Sequence, residues 1–221
     1  MKAGEEVNKI FSIDSKFARF MNALGDVMLI GILWIICSLP LVTIVASTAA
    51  AYYAMAKCVR GKCGHVIRSF FHSFKTNFLQ ALIPSVLILL SVFAIVFDMK
   101  YLWDHRSPAN DAGFIALILT AFVIGGFFFY FPAFLSRFEK NTAGLVKMTL
   151  FSVFRFLPVT AIIIIVFTLG ILGVYLMPWA VIIIPGGFLF ALTFPMEMVL
   201  RKFMPKPDEG SSEADRWFYG S

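Results

Sequence analysis

"CSLPLVTIVAST" (Cys37–Thr48) interrupts an apolar run that extends from Leu24 to Ala56. At 33 residues the run is too long for one simple crossing, which takes about 20 mostly apolar residues. Pro40 supplies no backbone donor and disfavours helix at Leu39. Ser47 or Thr48 is suited to cap a new helix, "AAAYYAMAKCVR". The stretch therefore divides the run into two short helices, about 22–38 and 47–60, joined by an irregular bend. Each arm is short for a full span. One kinked crossing, a hairpin that crosses twice and a re-entrant pair all remain open, and loop charge favours the last two.

Composition sets the solvent. The chain of 221 residues is 60% hydrophobic and 14% charged, with 26 Phe, and its mean hydropathy is +0.86. Soluble chains carry about 25% charged residues, and a core of this size could not hide so much apolar surface. The expected class is all-α: a polytopic helical membrane protein with a broken N-terminal hairpin, four clear spanning helices and amphipathic interfacial helices. The four spans are about 79–97, 113–135, 156–176 and 178–200. The N-terminus does not read as a cleavable signal peptide, because Glu5, Glu6 and Asp14 are mixed with its basic residues.

Lys and Arg number four in residues 1–23, five in 57–78, two in 98–112, four in 136–155, none in 177–178 and four in 201–221. The positive-inside rule then places 57–78, 136–155 and both termini in the cytosol. Residues 1–23 join them only if 24–56 goes in and comes back. The whole chain reads as one integral membrane domain: a cytosolic segment 1–21, the broken hairpin 22–60, two helical hairpins with interfacial helices over 61–201, and a mobile cytosolic tail 202–221.

Non-helical backbone at membrane depth needs protein or water around it. A cavity is therefore expected beside the bend, with Asp26, Trp34, Ser38, Pro40, Thr43, Thr48 and Tyr52 as its candidate residues. A second candidate surface comes from "KCVRGKCGHVIRSFFHSFKTNF" (Lys57–Phe78), which has no acidic residue. Its phenyl rings recur at helical intervals with basic groups between them, the pattern of a helix lying among anionic headgroups. Arg60, Arg68, Phe71, Phe74, Lys75 and Arg137 are the candidate docking residues, and 142–155 is a weaker version of the same pattern. The basic charge is spread along membrane flanks, so nucleic acid is not expected as a partner.

Asp26, Arg137, Glu139 and Glu197 all lie near predicted helix ends. They are expected to reach water, or to pair with Arg201, Lys202 or Arg19, rather than to form an ion relay. Cys58 and Cys63, with four residues between them rather than the two of a C-x-x-C pair, read as ordinary reduced thiols, and Cys37 as a packing residue. No catalytic constellation, metal set or cofactor motif is found. A parallel duplication is suggested by two halves that share an apolar-Pro pair (Ile83-Pro84, Leu157-Pro158) and a later Phe-Pro (Phe131-Pro132, Phe194-Pro195).

The run from Leu24 to Ala81 resembles the YesL-like family of bacterial membrane proteins, a domain-of-unknown-function family. Leu24-Gly25-Asp26, Leu33-Trp34, Cys37-Ser38-Leu39-Pro40, Thr43, Thr48-Ala49-Ala50, Tyr52-Tyr53, Arg60-Gly61 and Phe70-Phe71 with Phe74-Lys75 and Phe78 carry the likeness. "YFPAFLSRFEKNTAGLVKMTL" extends it, while Val45 stands where the family often has glycine. The resemblance implies the cytoplasmic membrane and a setting near carbohydrate importers of the ATP-binding-cassette type. It implies no activity. An accessory or regulatory component docking on importer subunits is the leading expectation. A small-molecule transporter with its site at the Pro40 bend is the alternative, and a membrane enzyme has only Asp26 and Glu197 in its favour. Beyond the lipid bilayer, partners and oligomeric state are not legible.

Overall fold

The computed structural model describes residues 16–61, 65–105 and 111–204. Among these, all regular structure is helical. Helix α1 (Lys16–Ser38) ends at the Leu39-Pro40 bend. A 3-10 turn (Leu41–Thr43) leads into α2 (Ile44–Ala54), which continues as a π turn (Met55–Arg60). Then come α3 (Val66–Asp104), α4 (Asp111–Arg137), α5 (Thr142–Arg155) and α6 (Leu157–Leu176). A 3-10 segment (Pro178–Ile182) precedes α7 (Ile184–Leu200). Five helices, Leu41–Arg60 counted as one, are long and apolar enough to cross a membrane, and the chain is a multi-pass helical membrane protein.

The hairpin's second arm is the centre of the bundle. Of an 18-residue apolar window within Leu41–Arg60, 72% is buried, against 11–28% of the corresponding windows in the other four long apolar helices. Val45, Ala49, Ala50, Ala51 and Ala54 are fully covered. The reason lies in residue size, since a run of Ala lets neighbouring backbones approach closely. Helices α1, α3, α4 and α7 all pack against it.

Three expected boundaries move. The second arm starts at Leu41 rather than 47, because Ser47 and Thr48 do not cap it. Their hydroxyls donate back to Thr43 O and Ile44 O, each at 2.7 Å, from within the helix. The basic helix 66–78 and the span 79–97 are one unbroken helix of 39 residues, about 58 Å long at 1.5 Å per residue. No Gly or Pro separates Val66 from Ile83, and Pro84 is absorbed within the helix. The span 178–200 shortens to Ile184–Leu200, because Pro185 disfavours helix before Ile184 yet suits the first turn of α7.

The register between α2 and α3 fixes the depth of the bend. Val45 N donates to Ser85 Oγ at 3.4 Å, and lower down Cys58 Sγ lies 3.4 Å from Ser69 Oγ. Beyond Ser85, α3 continues to Asp104, roughly 28 Å further. Leu79, Ile83, Leu87, Leu90, Phe93, Phe97 and Trp103 are exposed along α3, an apolar stripe of the kind that lies against lipid. Ser85 is itself buried, at the level of Ile83 and Leu87 along α3. The arms are each long enough to cross, yet their bend lies level with the middle of α3 rather than with its far end.

Helix α7 crosses the hairpin at a backbone contact. A Cβ on Gly31 would lie 2.7 Å from Gly186 N, and one on Gly186 would overlap Val27 O. Gly187, next in sequence, faces open space. Gly186→Val is therefore expected to destabilise the detergent-solubilised protein by about 1–3 kcal/mol or more through overpacking. Gly187→Ala should leave its thermal midpoint nearly unchanged, and equal midpoints for the two variants would refute the close crossing.

Candidate functional site

At the bend, side chains replace the missing ladder bonds. Thr43 Oγ1 sits 2.6 Å from Cys37 O and 2.6 Å from Pro40 O, so its proton serves carbonyls left over at the end of α1. Thr43 N donates to Pro40 O at 2.8 Å. Ser85 Oγ accepts from Val45 N, one of α2's first amides, while donating to Ala81 O at 2.9 Å. One turn deeper, Trp34 Nε1 donates to Thr48 Oγ1 at 3.0 Å. Leu39, Leu41 and Val42 remain exposed, as an apolar turn facing lipid would be.

A buried ionic cluster ties α2, α4 and α7 together. Arg137 Nη2 and Glu197 Oε1 are in contact at 2.5 Å, with side chains 1% and 4% exposed. Tyr52 OH donates to the same Oε1 at 2.9 Å. Glu197 Oε2 is buried with no hydrogen-bond partner among the described residues. Nearby, Arg60 Nη1 donates to Thr193 O at 3.0 Å, and its guanidinium lies 4.9 Å from the Phe194 ring centre. Glu197 thus does not reach water or pair with Arg201 or Lys202 as expected. Its partner is 60 residues away, because a charge this deep is stable only when paired.

At the basic end, the π turn of α2 and the start of α3 enclose a cleft of about 890 Å³. Lys57, Arg68 and Lys75 border it together with His65 and His72, with Tyr53, Ile67 and Phe71 as its apolar walls, and among the described residues no Asp or Glu lines it. Lys57 Nζ is 3.3 Å from Tyr53 OH.

The expected cavity residues are distributed along the whole hairpin. Trp34 and Thr48 pair, Thr43 closes the bend, and Tyr52 joins the ionic cluster. Pro40 is exposed, Asp26 is partly buried on α1, and Ser38 Oγ is buried without a hydrogen-bond partner among the described residues. From Asp26 to Pro40 is about 21 Å along the axis. Of the expected docking residues, Arg68, Phe71 and Lys75 share the cleft. Phe74 turns inward between Phe70 and Phe78, Arg60 turns to α7, and Arg137 is in the interior. Cys63 and the tail aromatics Trp217, Phe218 and Tyr219 lie outside the described residues.

The Arg137–Glu197 pair was not anticipated. The available signal was two opposite charges, each placed shortly after a Phe-Pro near the end of an apolar helix. The family model described as "Protein of unknown function, DUF624" matches residues 27–99, the segment that holds the bend, α2, the cleft and most of α3, and it agrees with the YesL-like resemblance. No curated protein and no solved structure matches the chain.

Arg137→Met alone strands the Glu197 carboxylate and is expected to cost about 3–5 kcal/mol. Arg137→Met combined with Glu197→Met should recover most of that loss. A double-mutant cycle on unfolding in mixed detergent measures both, and additive losses would contradict direct pairing.

Proposed function

We propose that this chain is an accessory or regulatory component of a carbohydrate-uptake system, a single membrane domain in the cytoplasmic membrane with its basic end and both termini in the cytosol. The observation that carries this reading is the surface of the basic end. On α5, Leu150, Phe151 and Phe154 are exposed beside Lys147 and Arg155. Mixed aromatic and basic character of this kind suits an acidic protein face. The bundle's middle supports the same reading: α2 is sealed by small side chains, and the Thr43 and Ser85 hydroxyls at the bend are bonded internally. The carbohydrate setting comes from the YesL-like resemblance.

A transporter in its own right, with its site at the Pro40 bend, has the buried Ser38 hydroxyl in its favour. Transport of a saccharide by the purified protein in sealed vesicles, lost in Pro40 and Thr43 variants, would establish it instead.

A photoreactive residue placed at Phe151, and separately at Phe71, in native membranes tests the accessory reading. Crosslinks to importer subunits from Phe151 are expected by mass spectrometry. Crosslinks to lipid alone from both positions, under conditions that capture other membrane neighbours, would contradict it.

A further inference from the structure

We propose that the cleft between the π turn of α2 and the first turns of α3 is a binding site for the phosphate-bearing headgroup of an anionic membrane lipid. This goes beyond the accessory reading and does not rest on it, because it concerns the purified chain in lipid. Lys57 enters from α2, and Arg68 and Lys75 from α3, around one cleft that no carboxylate among the described residues lines. A phosphate is the ligand that three such cations suit, and Arg adds a planar fork for its oxygens.

The walls and the depth select a lipid over a free anion. Ile67, Phe71 and Tyr53 line the same space, so a ligand with an apolar portion fills it better than a bare ion. Lys75 precedes Leu79, where the lipid-covered stripe begins, by four residues, or about 6 Å. Arg68 is roughly 16 Å from it along the axis. The cleft therefore spans the headgroup layer beside the hydrocarbon edge, where basic pockets between helices take anionic headgroups. The local backbone is built for this opening. Gly61 N bonds Ala56 O at 2.9 Å, closing a wide turn, and π turns of this kind are frequent at functional sites.

The test uses the full chain, purified and placed in phosphatidylcholine discs containing a minority of phosphatidylglycerol. Native mass spectrometry reads the anionic lipid that stays bound. Each cleft charge removed is expected to lower retention about fivefold, so Arg68→Gln with Lys75→Gln should lower it about 25-fold. Lys147→Gln with Arg155→Gln on α5 should leave it unchanged, as should millimolar inorganic phosphate. Lys57→Gln alone, expected to lose about fivefold, tests the site from α2 without touching α3. Wild-type retention in these cleft variants would overturn the proposal. So would equal retention of phosphatidylcholine, or displacement by inorganic phosphate, which would make the ligand a free anion.

Discussion

The hydroxyl of Thr43, shared between Cys37 O and Pro40 O, answers the constraint on which the rest of the bundle depends. In hydrocarbon no water is available to satisfy a broken backbone. Pro40 breaks it, and Thr43 and Ser85 supply the bonds the break removes. The turn can then be clothed in Leu39, Leu41 and Val42 and left facing lipid. With the bend closed, α2 can descend through the middle of the molecule, and its alanines let α1, α3, α4 and α7 approach it.

The basic end is held differently. There the packing is aromatic and ionic, with Phe134, Phe156 and Phe203 meeting edge to face and Glu197 bridging Tyr52 and Arg137. A hydrophobic triad of the same shape could be equally stable, since burying two charges offsets much of their attraction. What the ionic version adds is a requirement for one partner, which fixes where α7 lies across α2 and α4. The same crossing needs Gly186 against α1. The short last helix is thus located at both of its ends, by a backbone contact and by a charge.

Much of this was legible in the residues. Pro40 ends α1 at Ser38, and the all-helical membrane architecture follows from composition alone. Ser47 and Thr48 have the chemistry of caps, but a hydroxyl inside an apolar helix can satisfy itself on the carbonyl four residues back. The change from amphipathic to wholly apolar character near Phe78 resembles a helix boundary, yet the backbone has no reason to stop there. Pairing is the least legible level. Arg137 meets Glu197, and Gly31 meets Gly186, across sequence distances that no local pattern encodes. The two halves carry the same prolines, but only the second breaks, at Phe156.

Sided cysteine labelling in sealed vesicles tests the depth of the bend most directly. In a background with Cys37, Cys58 and Cys63 replaced by Ala, single cysteines would be placed at Lys75, Leu39 and Asp104, all exposed positions. A membrane-impermeant reagent should reach Lys75→Cys from one side and Asp104→Cys from the other. Leu39→Cys should react from neither side, because its surroundings are lipid. Reaction of Leu39→Cys from the Asp104 side would mean that the hairpin crosses completely, and would contradict a bend held at membrane depth by Thr43 and Ser85.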